Sequence, residues 1–225
     1  ELMRRRALRP ALTDALLRLD TPEAASILTA HASDPRVRAR FADAGPGVEA
    51  WLVGRLDSRR HRDCRRNVEL LGLCGRDLAV DALAHLAQDP SWTPAVVAAL
   101  GRIGSARAVA VLVPMARRSA LRRPVVDALG ETGHPLAVDP LLALDADHPA
   151  LRGAVRTALG RIDHPEAVRA ILTMERGAPS LRATRRVLGT MDRDLVLTTL
   201  DAMLAAEPSP ARPRLIASLR SSFRP

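Results

Sequence analysis

Six histidines and two cysteines are the side chains in this chain best suited to binding a metal or moving a proton near neutral pH. His61 and Cys64 stand three residues apart with Asp63 between them, which sets an imidazole and a thiol on one side of a helix as part of a metal site. No clear third and fourth ligand accompanies them. Cys64 and Cys74 are too far apart for a zinc motif, and two cysteines make no disulfide framework, so cysteine usage points to a reducing compartment. Asp81 and His85 have i, i+4 spacing, which suits a surface carboxylate–imidazole pair but supplies no third partner. His134, His148 and His164 each precede a proline, where capping and turn roles outweigh metal binding. No glycine-rich phosphate loop, nucleophile elbow or zinc-protease motif is present. The expectation is a protein with no catalytic residues, no cofactor and no metal.

The elements that carry these residues repeat. Leu71-Gly-Leu-Cys-Gly, Leu100-Gly-Arg-Ile-Gly, Leu129-Gly-Glu-Thr-Gly, Leu159-Gly-Arg-Ile-Asp and Leu188-Gly-Thr-Met-Asp recur about every 29 residues, the interval that marks a repeat architecture. Nine residues beyond each anchor leucine stand Val80, Val109, Val138, Val168 and Leu197; three further on stand Leu83, Leu112, Leu141, Ile171 and Leu200. These lie on one face of a following helix. Val96, Val125 and Val155, four before their anchors, and Trp92, Leu121 and Leu151, eight before, define a second apolar face on a preceding helix. Two earlier copies emerge with a link one residue shorter: Phe41 with Val48, Trp51 and Leu52, and Leu16 with Ala24, Ile27 and Leu28.

Punctuation follows the same period. Thr21-Pro22, His134-Pro135 and His164-Pro165 predict capped starts of second helices, because a proline at the first helical position lacks only an amide that would be unpaired anyway. Asp34-Pro35, Thr93-Pro94 and His148-Pro149 predict starts of first helices. Pro114 and Pro140 fall within predicted second helices and are expected to bend them. Gly72, Gly101, Gly130, Gly160 and Gly189 are expected to end helices in a left-handed conformation.

The stretch from His148 to Leu172 resembles one complete HEAT repeat of the short bacterial phycobilisome-lyase-like type, and the resemblance extends over nearly the whole chain, most strongly from about residue 62 to 206. It implies an all-α fold: a right-handed α-solenoid, or superhelix, of about seven HEAT-like helical hairpins and a final helix. The whole chain, residues 1–225, is then one solenoid, with approximate repeats at 3–32, 34–57, 59–88, 91–118, 119–147, 149–176 and 179–206 and a terminal helix at 209–222. Composition fits, because the apolar residues are chiefly Ala, Leu and Val, Tyr is absent, and Phe and Trp number two each.

Charge divides by helix. All basic residues are Arg, an economy that a GC-rich coding bias explains as readily as a need for guanidinium chemistry. First helices carry about 25 of the 34 arginines and about 7 carboxylates; second helices carry about 8 arginines and about 13 carboxylates. In the resembled family first helices form the convex side and second helices the concave side. An arginine stripe of Arg36, Arg62, Arg65, Arg122, Arg152, Arg156, Arg182 and Arg185 is therefore expected on the convex face, and a mildly acidic concave face.

These features favour a non-catalytic scaffold or adaptor for protein–protein interaction, a monomer that binds another protein on its concave second-helix surface through Asp81, His85, Asp139, Arg169 and Thr198. The alternative is an electrostatic adaptor whose stripe docks on anionic membrane or nucleic acid, as the formal charge of +9 allows. The resemblance also reaches bilin-attachment proteins and HEAT-like DNA-repair glycosylases; no bilin pocket can be located, and the glycosylases' aromatic residues and basic groove are lacking. A cytoplasmic location is expected. The basic opening Glu1-Leu2-Met3-Arg4-Arg5-Arg6 would also suit the cytoplasmic flank of a membrane anchor that precedes Glu1.

Overall fold

A computed structural model describes residues 9–56, 61–174, 181–206 and 212–223. Among these residues there are helices and turns but no strand. The basic opening, the His61 side chain and the outer parts of several expected repeats lie outside the described residues.

The chain divides into two compact units, Glu1–Met115 and Ala116–Pro225. The first holds α1 (Arg9–Leu19), α2 (Pro22–Ala30), α3 (Pro35–Ala39, continued by a 3-10 turn at Arg40–Asp43), α4 (Pro46–Val53), α5 (His61–Cys74), α6 (Asp77–Leu86), α7 (Thr93–Ile103) and α8 (Ala106–Met115). The second holds α9 (Arg122–Glu131), α10 (Val138–Asp147), α11 (Arg152–Leu159), α12 (Pro165–Thr173), α13 (Leu181–Leu188), α14 (Arg193–Ala206) and α15 (Arg212–Phe223). Short 3-10 turns lead into α9, α10 and α11. Within each unit the first helices stack on first helices and the second on second: α5 on α7 and α2 on α4 on α6 on α8 in one unit, α9 on α11 on α13 and α10 on α12 on α14 in the other. The final helix, α15, packs on α14.

The repeated apolar positions make the core. The anchors Leu71, Leu100, Leu129, Leu159 and Leu188 are fully buried, as are Leu83, Leu112, Leu141, Ile171 and Leu200 on the helices that follow. Burying one such leucine contributes about 1.5–3 kcal/mol, so a position repeated in every hairpin accounts for much of the stack's stability. In the first pair the register differs by one residue from the sequence expectation. Leu17 and Leu28 are buried, whereas Leu16 is half-exposed and Ile27 is 41% exposed. Trp51 is half-buried and receives the Arg55 guanidinium 4.3 Å from its ring centre.

Of the anchor glycines, Gly160 and Gly189 stand at the ends of α11 and α13 as expected, though not in a left-handed conformation, whereas Gly72, Gly101 and Gly130 lie inside α5, α7 and α9. At Gly72 and Gly130 the role is close packing between neighbouring first helices: a Cβ on Gly72 would lie 3.1 Å from the Ala99 Cα, and one on Gly130 would lie 2.6 Å from the Ala158 Cα. On Gly160 it would meet a Val187 methyl at 2.4 Å. Each glycine thus faces the residue just before the next anchor leucine. The left-handed conformation belongs instead to the second glycine of two motifs, Gly104 at φ 68° and Gly133 at φ 61°.

Pro140 also has another place than expected. It occupies the third position of α10, where amides have no intrahelical acceptor to lose. Pro114 stands in the last turn of α8. Thr21, Asp34, His134 and His164 are helix caps as their sequence setting predicted, with His134 Nδ1 accepting from the Leu136 amide at 3.2 Å and His164 Nδ1 from the Glu166 amide at 3.3 Å. Thr93 and His148 are not caps: the Thr93 hydroxyl donates to the Ala87 carbonyl at 3.3 Å, and the His148 side chain makes no cap bond.

Candidate functional site

The second helices present the first candidate surface. Asp81 on α6, Asp139 on α10, Arg169 on α12 and Thr198 on α14 occupy the same repeat position, ten residues after their anchors, and all are exposed. Backbone periodicity requires this outcome, since the residues one before Asp81, Asp139 and Arg169, namely Val80, Val138 and Val168, point into the core. Asp81 accepts from Arg107 of the neighbouring α8 at 2.7 Å. That partner is one repeat away, and the expected pairing with His85 does not form. His85 is exposed and lines a cleft of about 520 Å³ together with Val53, Leu56, Ala82, Leu86 and Asp89.

Exposed apolar side chains collect on the same helices. Among the described residues the large hydrophobic side chains left exposed are Leu19, Ile27, Leu78, Val113 and Leu136. Ile27, Leu78 and Val113 belong to α2, α6 and α8, and Leu136 belongs to the turn that opens α10. Leu19, at the end of α1, is the one of these five on a first helix.

The expected arginine stripe separates into two kinds of residue. Arg62, Arg65, Arg182 and Arg185 are exposed, and Arg36 lines a cleft of about 730 Å³ between α1 and α3 with Pro10, Asp14, Asp34 and Arg40. Arg65 is 3.6 Å from Glu69. Arg152 is a structural group: it grips Asp145, a carboxylate only 7% exposed, with contacts of 3.2 and 3.5 Å, and so ties the start of α11 to α10. Arg122 and Arg156 are half-buried.

Two carboxylates absent from the sequence expectations have a larger structural role. Glu49, on α4 and 3% exposed, accepts from the Arg76 amide at 2.7 Å and the Ala79 amide at 3.0 Å, and so caps α6 in the next repeat. The Arg76 side chain returns to Glu49 at 3.7 Å and donates to the Ala44 carbonyl at 3.1 Å. Asp20, at φ 47°, accepts from the Gly47 and Val48 amides at 2.8 and 2.9 Å and caps α4 in the same way. The signal for Glu49 was in the sequence. It is a glutamate at a repeat position occupied elsewhere by Val80, Val109, Val138 and Val168.

Both cysteines are buried and neither forms a disulfide; burial pushes the Cys74 thiol up to about 12, with the nearby Glu49 carboxylate acting in the same direction. A thiol so raised stays protonated at neutral pH and is a poor nucleophile or metal ligand. Among the described residues no group of three or more His, Cys, Asp or Glu side chains could hold a metal ion. No helix there is long and apolar enough to cross a membrane.

No protein-family model matches the chain, and no curated protein matches it. Among solved structures, human deoxyhypusine hydroxylase in complex with glycerol matches over 96% of this chain and 97% of its own, with 17% sequence identity and a TM-score of 0.31. The all-helical hairpin arrangement is consistent with a HEAT-like fold. The expectation that this chain is not an enzyme is corrected here, since the solved structure it matches is an enzyme, a hydroxylase. A similarity this loose assigns no activity.

Proposed function

We propose that this chain is a HEAT-like solenoid that works as a protein-binding scaffold, capturing a partner on the exposed side of its second helices. The observation that carries this reading is the placement of Ile27, Leu78, Val113 and Leu136 on second helices or their opening turns, while on first helices the described residues expose one large apolar side chain, Leu19 at the end of α1. Single exposed hydrophobics are ordinary on any surface, but their concentration on one set of helices is what a recognition face requires. Asp81, His85, Asp139, Arg169 and Thr198 add polar groups to that face, which set orientation and specificity around apolar anchors.

The partner that fits is a protein segment with apolar side chains. Affinity capture with wild type and with Leu78→Glu, Val113→Glu and Leu136→Glu tests the reading, each variant first checked for an unchanged thermal melt. A specific protein retained by wild type and released at least tenfold by the substitutions is the expected result. A wild type that retains no protein, or variants that retain the same one equally well, would overturn it.

A further inference from the structure

Helix α13 carries Arg182, Arg185 and Arg186 within 8 residues and has no acidic residue. Their spacing puts the three guanidiniums on one side of the helix, away from buried Thr184 and Leu188, and all three are exposed. Among the described residues no carboxylate pairs with any of them. Several arginines on the first helices of the other unit are differently placed, because Arg38 is held by Glu69, Arg40 by Asp14 and Asp43, and Arg66 by Asp63. Helix α13 packs beside α11, on which Arg156 stands at the repeat position of Arg185. The residues between these arginines are small, as at Gly153, Thr157 and Ala183, and among the described side chains α9, α11 and α13 expose no large apolar one.

We infer that the α13 face, with the adjoining part of α11, docks on the phosphate backbone of duplex nucleic acid without reading its sequence. The three α13 guanidiniums, which pair with no carboxylate among the described residues and are spaced for neighbours about 5–6 Å apart at their Cβ atoms, can each take a phosphate in a bidentate grip. Duplex binding of this kind needs only charge and close approach, both of which the small intervening residues permit. Single strands call for aromatic platforms, and a lone polybasic patch holds a membrane weakly unless an apolar or lipid anchor joins it. Among its described side chains the face has neither a ring nor an apolar wedge. Favourable interaction of Arg185 and Arg186 with the C-terminal end of the α13 dipole is a purely structural use of the same residues.

Anisotropy of a labelled duplex of roughly 20 base pairs, titrated between about 50 and 200 mM salt, separates these uses. Three phosphate contacts predict a slope of log affinity against log salt of about −2.7 or steeper. Arg185→Glu combined with Arg186→Glu is expected to weaken binding at least tenfold and flatten the slope by about two. Arg185→Lys with Arg186→Lys keeps the charge and the slope, and Arg65→Gln on α5 binds like wild type. Wild type without salt-dependent duplex binding, or reversal variants that bind as wild type does, would overturn the inference. So would phosphatidylserine–phosphatidylcholine vesicles or polyglutamate binding through these arginines when the duplex does not.

Discussion

Two second helices of the first unit, α4 and α6, start by a different means from the rest: α2 and α8 in the same unit are capped from their own turns by Thr21 and Ser105, as are the second helices of the other unit. In the first unit Gly45 and Arg76 stand at the N-caps of α4 and α6, and neither offers a side-chain acceptor; Asp20 and Glu49 from the preceding repeat supply the missing carboxylates. In the second unit α10, α12 and α14 are capped from their own turns by His134, His164 and Asp192. A local cap stabilises one helix. A carboxylate from the preceding repeat also fixes how two hairpins sit against each other, and its bonds form only after both have packed.

The sharpest way to break this contrast is at Glu49. Glu49→Ala leaves the Arg76 and Ala79 amides without their acceptor in a buried setting, and a loss of about 3 kcal/mol is expected in urea unfolding, with the first unit melting ahead of the second. Glu49→Gln keeps one oxygen acceptor and is expected to lose about half as much. Equal midpoints for wild type and Glu49→Ala would show that the cross-repeat cap contributes nothing.

Helix packing gives a contrast in the opposite direction. Gly130→Ala in the second unit forces a methyl to 2.6 Å from the Ala158 backbone and is expected to cost about 2 kcal/mol by thermal melting. At Gly72 in the first unit the same change meets Ala99 at 3.1 Å, and the gain of about 1 kcal/mol in helix propensity offsets the crowding. A Gly72→Ala variant as damaged as Gly130→Ala would refute the difference in helix spacing.

The smallest effects are expected at the local caps. His134→Ala and His164→Ala should each cost about 1 kcal/mol, and Asn at either position should restore most of it because its carbonyl oxygen can accept the same amide. Additive losses in the double variant would confirm that these caps act independently, unlike Glu49.

Much of the core was legible because burial recurs at a fixed interval: Leu100, Leu112, Leu129 and Leu141 are fully buried at the positions that the repeat predicts. Where the motif weakens, the prediction slips by a residue. Leu16 and Ile27 belong to a pair without the Leu-Gly anchor, and one residue of offset rotates a helix by 100°, which is enough to exchange Ile27 for Leu28 in the core. The exposed positions of Asp81, Asp139, Arg169 and Thr198 follow from the same period. Their partners do not, since Arg107 reaches Asp81 from the next repeat.

By itself the sequence determined the helical hairpins, their order, the apolar faces and the caps at Thr21, His134 and His164, because each depends on residues within a few turns of one another. Tertiary structure alone decided why the anchor glycines are glycine, which arginines are tied to carboxylates and which are not, and that Glu49 holds two repeats together. Those outcomes depend on distances between atoms about 30 residues apart in the chain, which no local pattern encodes and which only the stacking of one hairpin on the next sets.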